Sequence, residues 1–497
     1  MVRLAAVASA CVVAASLLPA SVGANNNLAP SPRLQFERRQ ASSATTSSKH
    51  HHSSSSANAG GSGASTTPAA AAAPTSAPSV SGSVSIPASV LAILSTITSG
   101  TDYPYPTPTT ISSTPSAGAQ NTYIPKAPPL PNFAALSSND YPDLDILPSK
   151  STRASVLAQN KQWLSAVDFS SVPNITPSQD GSCASDPQLA AQAAQNGWWT
   201  CGGYTRSTDV TTCPQTNTFG LSYDDGPSPG TPAVLQYLDQ HNLKATFFLV
   251  GSRAISRPEM VAYEYITGHQ LSVHTWSHPS LTTLSNADIY LELRWTMKII
   301  EDITGVVPNT MRPPYGDIDD RVRAICKLLN LTPIIWTGIG TEGGNMETFD
   351  TEDWQIASGV ASSQQVYTNF ANIFKQAPSL STGYIVLAHD LYAQSCLIAT
   401  EAILPLALAA SPKQSMMPIV QCMLKPLGDA YVQTDRNISG LGPAATPSGS
   451  SAVSGAGATG TPGSSGNSSG AERSTSAFYV VGTLTLAMCI AAAATLI

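Results

Sequence analysis

Two carboxylates stand side by side at Asp224-Asp225, directly after the apolar run 218–223. Adjacent carboxylates repel each other, and a structural turn needs at most one. A cation resolves the conflict, because one carboxylate can ligate it while the other is left to act as a base. A second run ends in His274-Thr275-Trp276-Ser277-His278, which sets two imidazoles four residues apart. One Asp and two His make three protein ligands with positions left over for water and substrate. That is the catalytic rather than the structural layout for zinc-like ions. A third run ends in Leu387-Ala388-His389-Asp390, where a histidine can serve as general acid. Each pattern alone is commonplace, an Asp-Asp turn or a surface His pair. Their shared place at the ends of apolar runs points to chemistry.

The elements that must position these residues follow from the pattern. From residue 216 the chain alternates short apolar runs with amphipathic stretches. Strands are expected over 218–223, 245–250, 270–273, 332–336 and 384–388. Helices are expected over 231–241, 258–267, 285–304, 319–329, 363–375 and 397–409. Such alternation makes βαβ units and a parallel sheet. When that sheet closes as a barrel, chemistry sits where strands end.

Five motifs in order carry a resemblance. Ser222-Tyr223-Asp224-Asp225-Gly226-Pro227 resembles the first motif of the polysaccharide deacetylase (NodB-homology) family, and His274-Thr275-Trp276-Ser277-His278 its metal-binding second. Arg312-Pro313-Pro314-Tyr315-Gly316 resembles the third, Asp350-Thr351-Glu352-Asp353-Trp354 the fourth and Leu387-Ala388-His389 the fifth. One departure is visible: Ser222-Tyr223 stands where many relatives have Thr-Phe, at positions with no proposed chemistry. The likeness covers roughly 213–425. It implies an α/β fold, a deformed (β/α) barrel with fewer than eight strands. It implies that Asp225, His274 and His278 hold one divalent metal, zinc first and cobalt second. Asp224 becomes the general base, tuned by Arg312. The backbone amide of Tyr315 helps stabilise the oxyanion. His389, oriented by Asp353, protonates the leaving amine, while Trp354 and Leu387 line the pocket for the acetyl methyl. The chemistry stands on its own terms too, since an amide is a poor electrophile and a Lewis acid with a base and an acid on either side answers that. No G-x-S-x-G elbow is present.

The family acts on several acetylated glycans, and the rest of the chain narrows the choice. The N-terminus reads as a signal peptide over 1–24: Arg3, an Ala/Val/Leu run, then Ser21-Val22-Gly23-Ala24. At the other end, the uncharged stretch 478–497 follows a polar spacer and the small residues Gly466 to Gly470. That is the layout of a glycosylphosphatidylinositol (GPI) signal over 471–497, with Asn467 the first choice of attachment residue and Ser469 or Gly470 next. An exported, surface-anchored protein of this kind, taken as fungal, meets chitin. The expected activity is hydrolysis of N-acetyl groups on its N-acetylglucosamine units, with chitin and the membrane anchor as partners and no obligate protein partner. A deacetylase of xylan or chito-oligosaccharides is the same-class alternative. A non-catalytic chitin-binding wall mannoprotein is the alternative from another class.

Composition agrees with one globular domain in a 497-residue chain. Only 11% of residues are charged and the net charge is −7. There is no Lys/Arg cluster of the sort nucleic acid requires. Ser/Thr/Ala/Pro-rich stretches over 25–120 and 426–470 read as stalks that cannot bury a core. His50-His51-His52 lies among serines without partner ligands, and Arg38-Arg39 resembles a dibasic processing site. The segment 121–212 reads as an extension packed on the 213–425 domain. Its Trp198-Trp199 pair reads as packing before sugar stacking. Asn174, Asn330 and Asn437 head N-x-[ST] triplets, two of them followed directly by proline. Of eight cysteines, Cys11 and Cys489 fall in the terminal signals. The other six (Cys183, Cys201, Cys213, Cys326, Cys396, Cys422) allow up to three disulfides.

Overall fold

The computed structural model describes residues 84–144, 146–344 and 346–436. The signal peptide, Arg38-Arg39, the His50–His52 run, Asn437 and the whole GPI layout around Asn467, Ser469 and Gly470 lie outside the described residues.

In chain order the main elements are α1 Ala88–Leu94, α2 Ala154–Ala166, β1 Thr218–Gly220, β2 Ser222–Asp224, α3 Thr231–Gln240, β3 Thr246–Leu249, α4 Gly251–Ser256, α5 Pro258–Ile266 and β4 Gln270–Val273. Then come α6 Asn286–Thr304, β5 Thr310–Met311, α7 Asp320–Leu328, β6 Thr332–Pro333, β7 Gly338–Gly340, β8 Met346–Thr348, α8 Ser363–Gln376, β9 Tyr384–Ile385, α9 Ala393–Ile398 and β10 Ser415–Met417. Five strands form one parallel sheet, β2-β3-β4-β5-β6, and three form another, β10-β1-β9, also parallel. The fold is thus α/β with parallel sheets, as a deformed (β/α) barrel requires.

A single strand was expected over 218–223. The structure divides it at Leu221, because its two halves have different partners. Leu221 N–H donates to Met417 O at 3.0 Å on the β10 side, and its carbonyl accepts from Thr246 N at 2.9 Å on the β3 side. This handover carries the chain from one sheet to the next. A parallel bridge from Asp224 to His389 then ties the two sheets together at the strand ends where the expected base and acid stand.

Both faces of β1, β2, β3, β4 and β9 are buried, so these strands read as largely continuous apolar runs. Thr246-Phe247-Phe248-Leu249 is inaccessible throughout. The longest helix, α6, starts where Ser285 Oγ accepts the Asp288 N–H at 3.1 Å and stops at Gly305, whose φ of +79° suits a residue without a Cβ. Its inner face (Ile289, Leu293, Ile300, Ile303) packs into the core. The helical stretch expected over 397–409 begins earlier, at Ala393, and runs on through Ala399–Ile403 and Leu404–Leu408.

Three expectations about the flanks need correction. From residue 84 on, the stretch expected as a stalk over 25–120 is docked on the core. Leu94 is fully buried and Ile97 nearly so, both in the main core, and α1 ends where Ser363 Oγ donates to Leu94 O at 2.7 Å. A few apolar residues in a Ser/Thr-rich stretch are enough to dock it. At the other end, the described part of the stalk expected over 426–470 belongs to the fold: Tyr431 is fully buried and its hydroxyl accepts the Leu271 N–H at 3.0 Å. Of the three disulfides allowed, the structure has Cys183–Cys201 and Cys213–Cys422, while Cys326 and Cys396 are buried free thiols.

Residues 121–212 pack on the barrel. Tyr141 stacks on Trp276 with ring centroids 6.1 Å apart, and Trp163 meets Trp295 edge-on at 4.9 Å. Trp198 and Trp199 are both buried, so neither presents a face for sugar stacking. No helix among the described residues is long and apolar enough to cross a membrane.

Candidate functional site

The end of β2 delivers Asp224 and Asp225. Asp225 has φ +76°, a left-handed backbone conformation just past the strand. Gly226 follows because the Asp390 carboxylate lies against it, and a Cβ there would meet Asp390 Oδ2 at 2.4 Å. After β4, His274 comes first, Thr275 turns at φ +67° and His278 at φ +61°. Non-glycine residues at positive φ cost energy and persist only where the surroundings hold them. Tyr315 and Glu352, in the third and fourth motifs, are in the same state at φ +60°.

Glu292 on α6 holds the histidine turn, and nothing in the sequence reading had singled it out. Its Oε2 accepts the N–H groups of Trp276 and Ser277, each at 2.8 Å, and its Oε1 accepts the Ser277 hydroxyl at 2.6 Å. Burial pushes this carboxyl up to about 7, against the pull of those donors. In the sequence Glu292 is one more acid on an amphipathic helix, nearly two turns past the N-terminus, and no signal marks it.

The ligand atoms of Asp225, His274 and His278 lie within 4.8 Å of one another. His278 Nε2 is 3.0 Å and His274 Nε2 3.3 Å from Asp225 Oδ1. His274 Nδ1 is 2.8 Å from the Arg312 carbonyl, which can only accept, so Nδ1 carries the proton. In neutral His274, Nε2 is therefore a lone pair pointing at a carboxylate oxygen. Acceptors facing one another in a buried site call for a cation, and this donor set fits a divalent one. The Asp225 carboxyl is held well below its usual range. Burial would raise it, but His278, His274 and Arg253 together outweigh that.

Arg312, fully buried at the end of β5, places Nη1 2.6 Å from Asp224 Oδ1 and 3.2 Å from Ser222 Oγ. Its guanidinium lies 4.0 Å above the Phe248 ring. Asp224 Oδ2 remains directed at the ligand cluster, 4.0 Å from His274 Nε2. On the neighbouring strand end, His389 Nδ1 is 2.7 Å from Asp353 Oδ1. Burial alone would lower the His389 pKa, but Asp353, with Asp225 and Asp224 behind it, pushes it up to about 10. Two charged pairs thus flank the ligand cluster, one a carboxylate with a free oxygen and the other an imidazolium.

The remaining expected residues are placed less uniformly. Tyr315 is 40% exposed, its hydroxyl 3.2 Å from His278 Nδ1. Trp354, half-buried, packs with Ala357, Leu391 and Tyr392. Leu387 lies in the main core rather than in that group. Asn174 and Asn330 are exposed. Two further residues carry no role in the sequence analysis, Arg253 and the Asp390 that closes the third run. Arg253 Nη1 donates to the Asp225 carbonyl at 2.5 Å, and Asp390 Oδ2 accepts the Thr231 hydroxyl at 2.5 Å.

The family profile described as polysaccharide deacetylase matches residues 211–334. Chitin deacetylase 1 of Cryptococcus neoformans var. grubii is 49% identical over 358 residues, 71% of this chain and 71% of that protein. The chain belongs to the polysaccharide deacetylase family. Among other relatives of this family, the chitin deacetylase of Amylomyces rouxii is 36% identical over 202 residues, 39% of this chain and 45% of its own length. Peptidoglycan-N-acetylglucosamine deacetylase PgdA of Listeria monocytogenes is 38% identical over 174 residues, 35% of this chain and 32% of that protein. The solved chitin deacetylase of Colletotrichum lindemuthianum is 26% identical, with a TM-score of 0.38, covering 45% of this chain and 95% of that one. Polysaccharide deacetylases are metal-dependent, and the Asp225, His274 and His278 group is where this chain can hold an ion.

Proposed function

We propose that this chain removes acetyl groups from N-acetylglucosamine units of chitin, using one divalent ion, zinc, held by Asp225, His274 and His278. The observation that carries the proposal is the convergence of those three acceptors between the Asp224–Arg312 and Asp353–His389 pairs. The substrate class rests on the named fungal relatives, above all the one 49% identical over most of this chain.

When bound, the ion supplies a Lewis acid that acidifies water and polarises the acetamide carbonyl. Asp224 accepts the proton of the attacking water on Oδ2, while Arg312 Nη1 donates to Oδ1 and leaves Oδ2 facing the ligand cluster. The Tyr315 amide donates to the developing oxyanion. On the far side, His389 as imidazolium gives its Nε2 proton to the departing amine, because Nδ1–H is committed to Asp353. Asp353 also fixes the His389 backbone through Oδ2 at 2.9 Å. Base and acid each contribute roughly 10²–10⁴-fold. Trp354 and Leu387 line the space for the acetyl methyl, Trp354 from the group with Ala357, Leu391 and Tyr392 and Leu387 from the main core.

We also place the protein outside the cell, exported by residues 1–24 and carried by a GPI anchor attached at Asn467. Domain bounds follow from the same reading, with 213–425 as the catalytic unit and Asn174, Asn330 and Asn437 as glycan acceptors. Release from intact cells by a phosphatidylinositol-specific phospholipase tests the anchor. The reaction is tested by acetate release from chitin oligosaccharides with the full chain, before and after chelation. Chelator-sensitive release restored by zinc is expected. A folded, metal-loaded protein that deacetylates peptidoglycan or xylan and leaves chitin untouched would overturn the substrate.

A further inference from the structure

We propose that residues 94–105 form a strap that fixes the apolar wall around Trp354 and so sets how tightly the acetylated sugar is held. This rests on the reading of Trp354 as a wall of the acetyl pocket.

The strap lies far outside the family match, which begins at residue 211. It nevertheless runs over the residues behind that wall. Trp354 packs with Ala357, Leu391 and Tyr392. The strap bonds directly to the backbone of two of the three. Gly100 N–H donates to Ala357 O at 2.9 Å, and the Tyr105 hydroxyl donates to Leu391 O at 3.3 Å. Gln394, fully enclosed on the first turn of α9, locks the strap from below. Its Nε2 donates to Thr98 O at 3.1 Å and to Gly100 O at 2.7 Å.

The next residue, Ser395, donates from Oγ to Asp353 O at 3.1 Å. One turn of α9 therefore grips the strap with Gln394 and the Asp353-Trp354 turn with Ser395. The fit is close elsewhere as well. A Cβ at Gly359 would meet Ser99 Cβ at 3.3 Å, and one at Gly230 would meet Tyr105 Cδ1 at 3.0 Å. A half-buried tryptophan on a short turn has little of its own to hold it. Backbone hydrogen bonds from a strap docked by Leu94 and Ile97 limit its movement. The strap is a positioning element, since its bonds reach the wall and none of the charged pairs.

The test uses the full metal-loaded chain and the tetramer of N-acetylglucosamine. Gln394→Leu removes both donors to the strap at nearly constant volume, and Tyr105→Phe removes the hydroxyl that donates to Leu391 O. Each is expected to raise KM, and Kd by titration calorimetry, by about tenfold, the size of a misfit in an apolar pocket. The kcat stays within about twofold and metal content stays full, as for a change confined to ground-state and transition-state binding alike. Ser363→Ala, which frees only the Leu94 end, is expected to lower the melting temperature and leave Kd unchanged. Unchanged Kd and KM in folded Gln394→Leu would overturn the strap, as would an equal rise in Ser363→Ala. If wild-type protein binds the tetramer yet releases no acetate, the reaction assigned above fails and the Kd comparison still decides the strap. If wild-type protein neither binds nor cleaves it, the acetyl-pocket reading falls, and the strap with it.

Discussion

His389 and Asp353 face each other twice: the imidazole Nδ1 at 2.7 Å from Oδ1, and the His389 backbone N–H at 2.9 Å from Oδ2. One carboxylate thus sets the position of the histidine, its tautomer and its charge. With a pKa pushed up to about 10, His389 is an imidazolium at neutral pH. A cation on Asp225 cancels part of that rise, whereas the direct contact with Asp353 persists. Asp353→Asn should therefore move the alkaline limb of the kcat/KM profile down by about one to three pH units. The sign for stability runs the same way. A histidine raised on folding contributes fully below its unfolded value near 6.5 and loses that contribution as pH rises toward 10. The wild-type melting temperature should fall over that interval more than that of the Asp353→Asn variant. Equal profiles for the two proteins would refute the pairing.

Asp224→Asn tests the base. The buried Arg312 keeps a polar neighbour but loses its countercharge, so stability should drop by about 3 kcal/mol. Turnover should fall by roughly 10³-fold or more, at the upper range of general-base effects. Metal content should stay near one per chain, because Asp224 is not among the three converging ligands. Retained turnover in a folded variant would remove Asp224 from the mechanism.

Most of the candidate site was legible because it is built from rare residue types at strand ends. Asp224, Asp225, His274, His278 and His389 stand out against apolar runs, and the structure gathers them into one place. What supports them was not legible. Glu292 looks like any acid on an amphipathic helix, and Arg253 like any arginine on another. Their roles arise from which backbone groups lie across from them. The strand over 218–223 read as one element because its hydrophobicity is continuous, and only the change of partners at Leu221 divides it. The flanks misled for a related reason. Composition averages over a window, whereas docking needs only Leu94 and Ile97 at one end and Tyr431 at the other.

The histidine turn supplies a prediction that separates holding the metal from holding the ligands. His274→Ala removes a ligand, and both metal and activity should disappear. Glu292→Gln leaves all three ligands in place but turns an amide toward donors that expect an acceptor. Affinity for zinc should weaken by about 10–100-fold, as for other residues that orient ligands, with activity recovered in excess metal. Zinc titration by competition with a chromophoric chelator measures both. Normal affinity in Glu292→Gln would mean that the turn keeps its positive-φ conformation without that carboxylate.

The two disulfides should differ in what they hold. Cys213 and Cys422 are 209 residues apart in sequence and join the start of the barrel to its closing segment next to β10. Cys183 and Cys201 are 18 apart and close a loop within the extension. In the chain-entropy account, stabilisation grows with the logarithm of loop length, giving about 3 kcal/mol for a loop of some fifteen residues and near 5 for one of a hundred or more. The double variant Cys213→Ser/Cys422→Ser should therefore lose more stability than Cys183→Ser/Cys201→Ser. The larger loss should also be global, because Cys213 is fully buried in the main core. Urea unfolding followed by tryptophan fluorescence and by acetate release compares them. Coincident transitions at a lower midpoint are expected for the first pair. For the second, local loosening around Trp198 should precede the loss of activity. A larger loss from the short loop would show that enthalpy at Cys183–Cys201, rather than chain entropy, governs the contribution of these bonds.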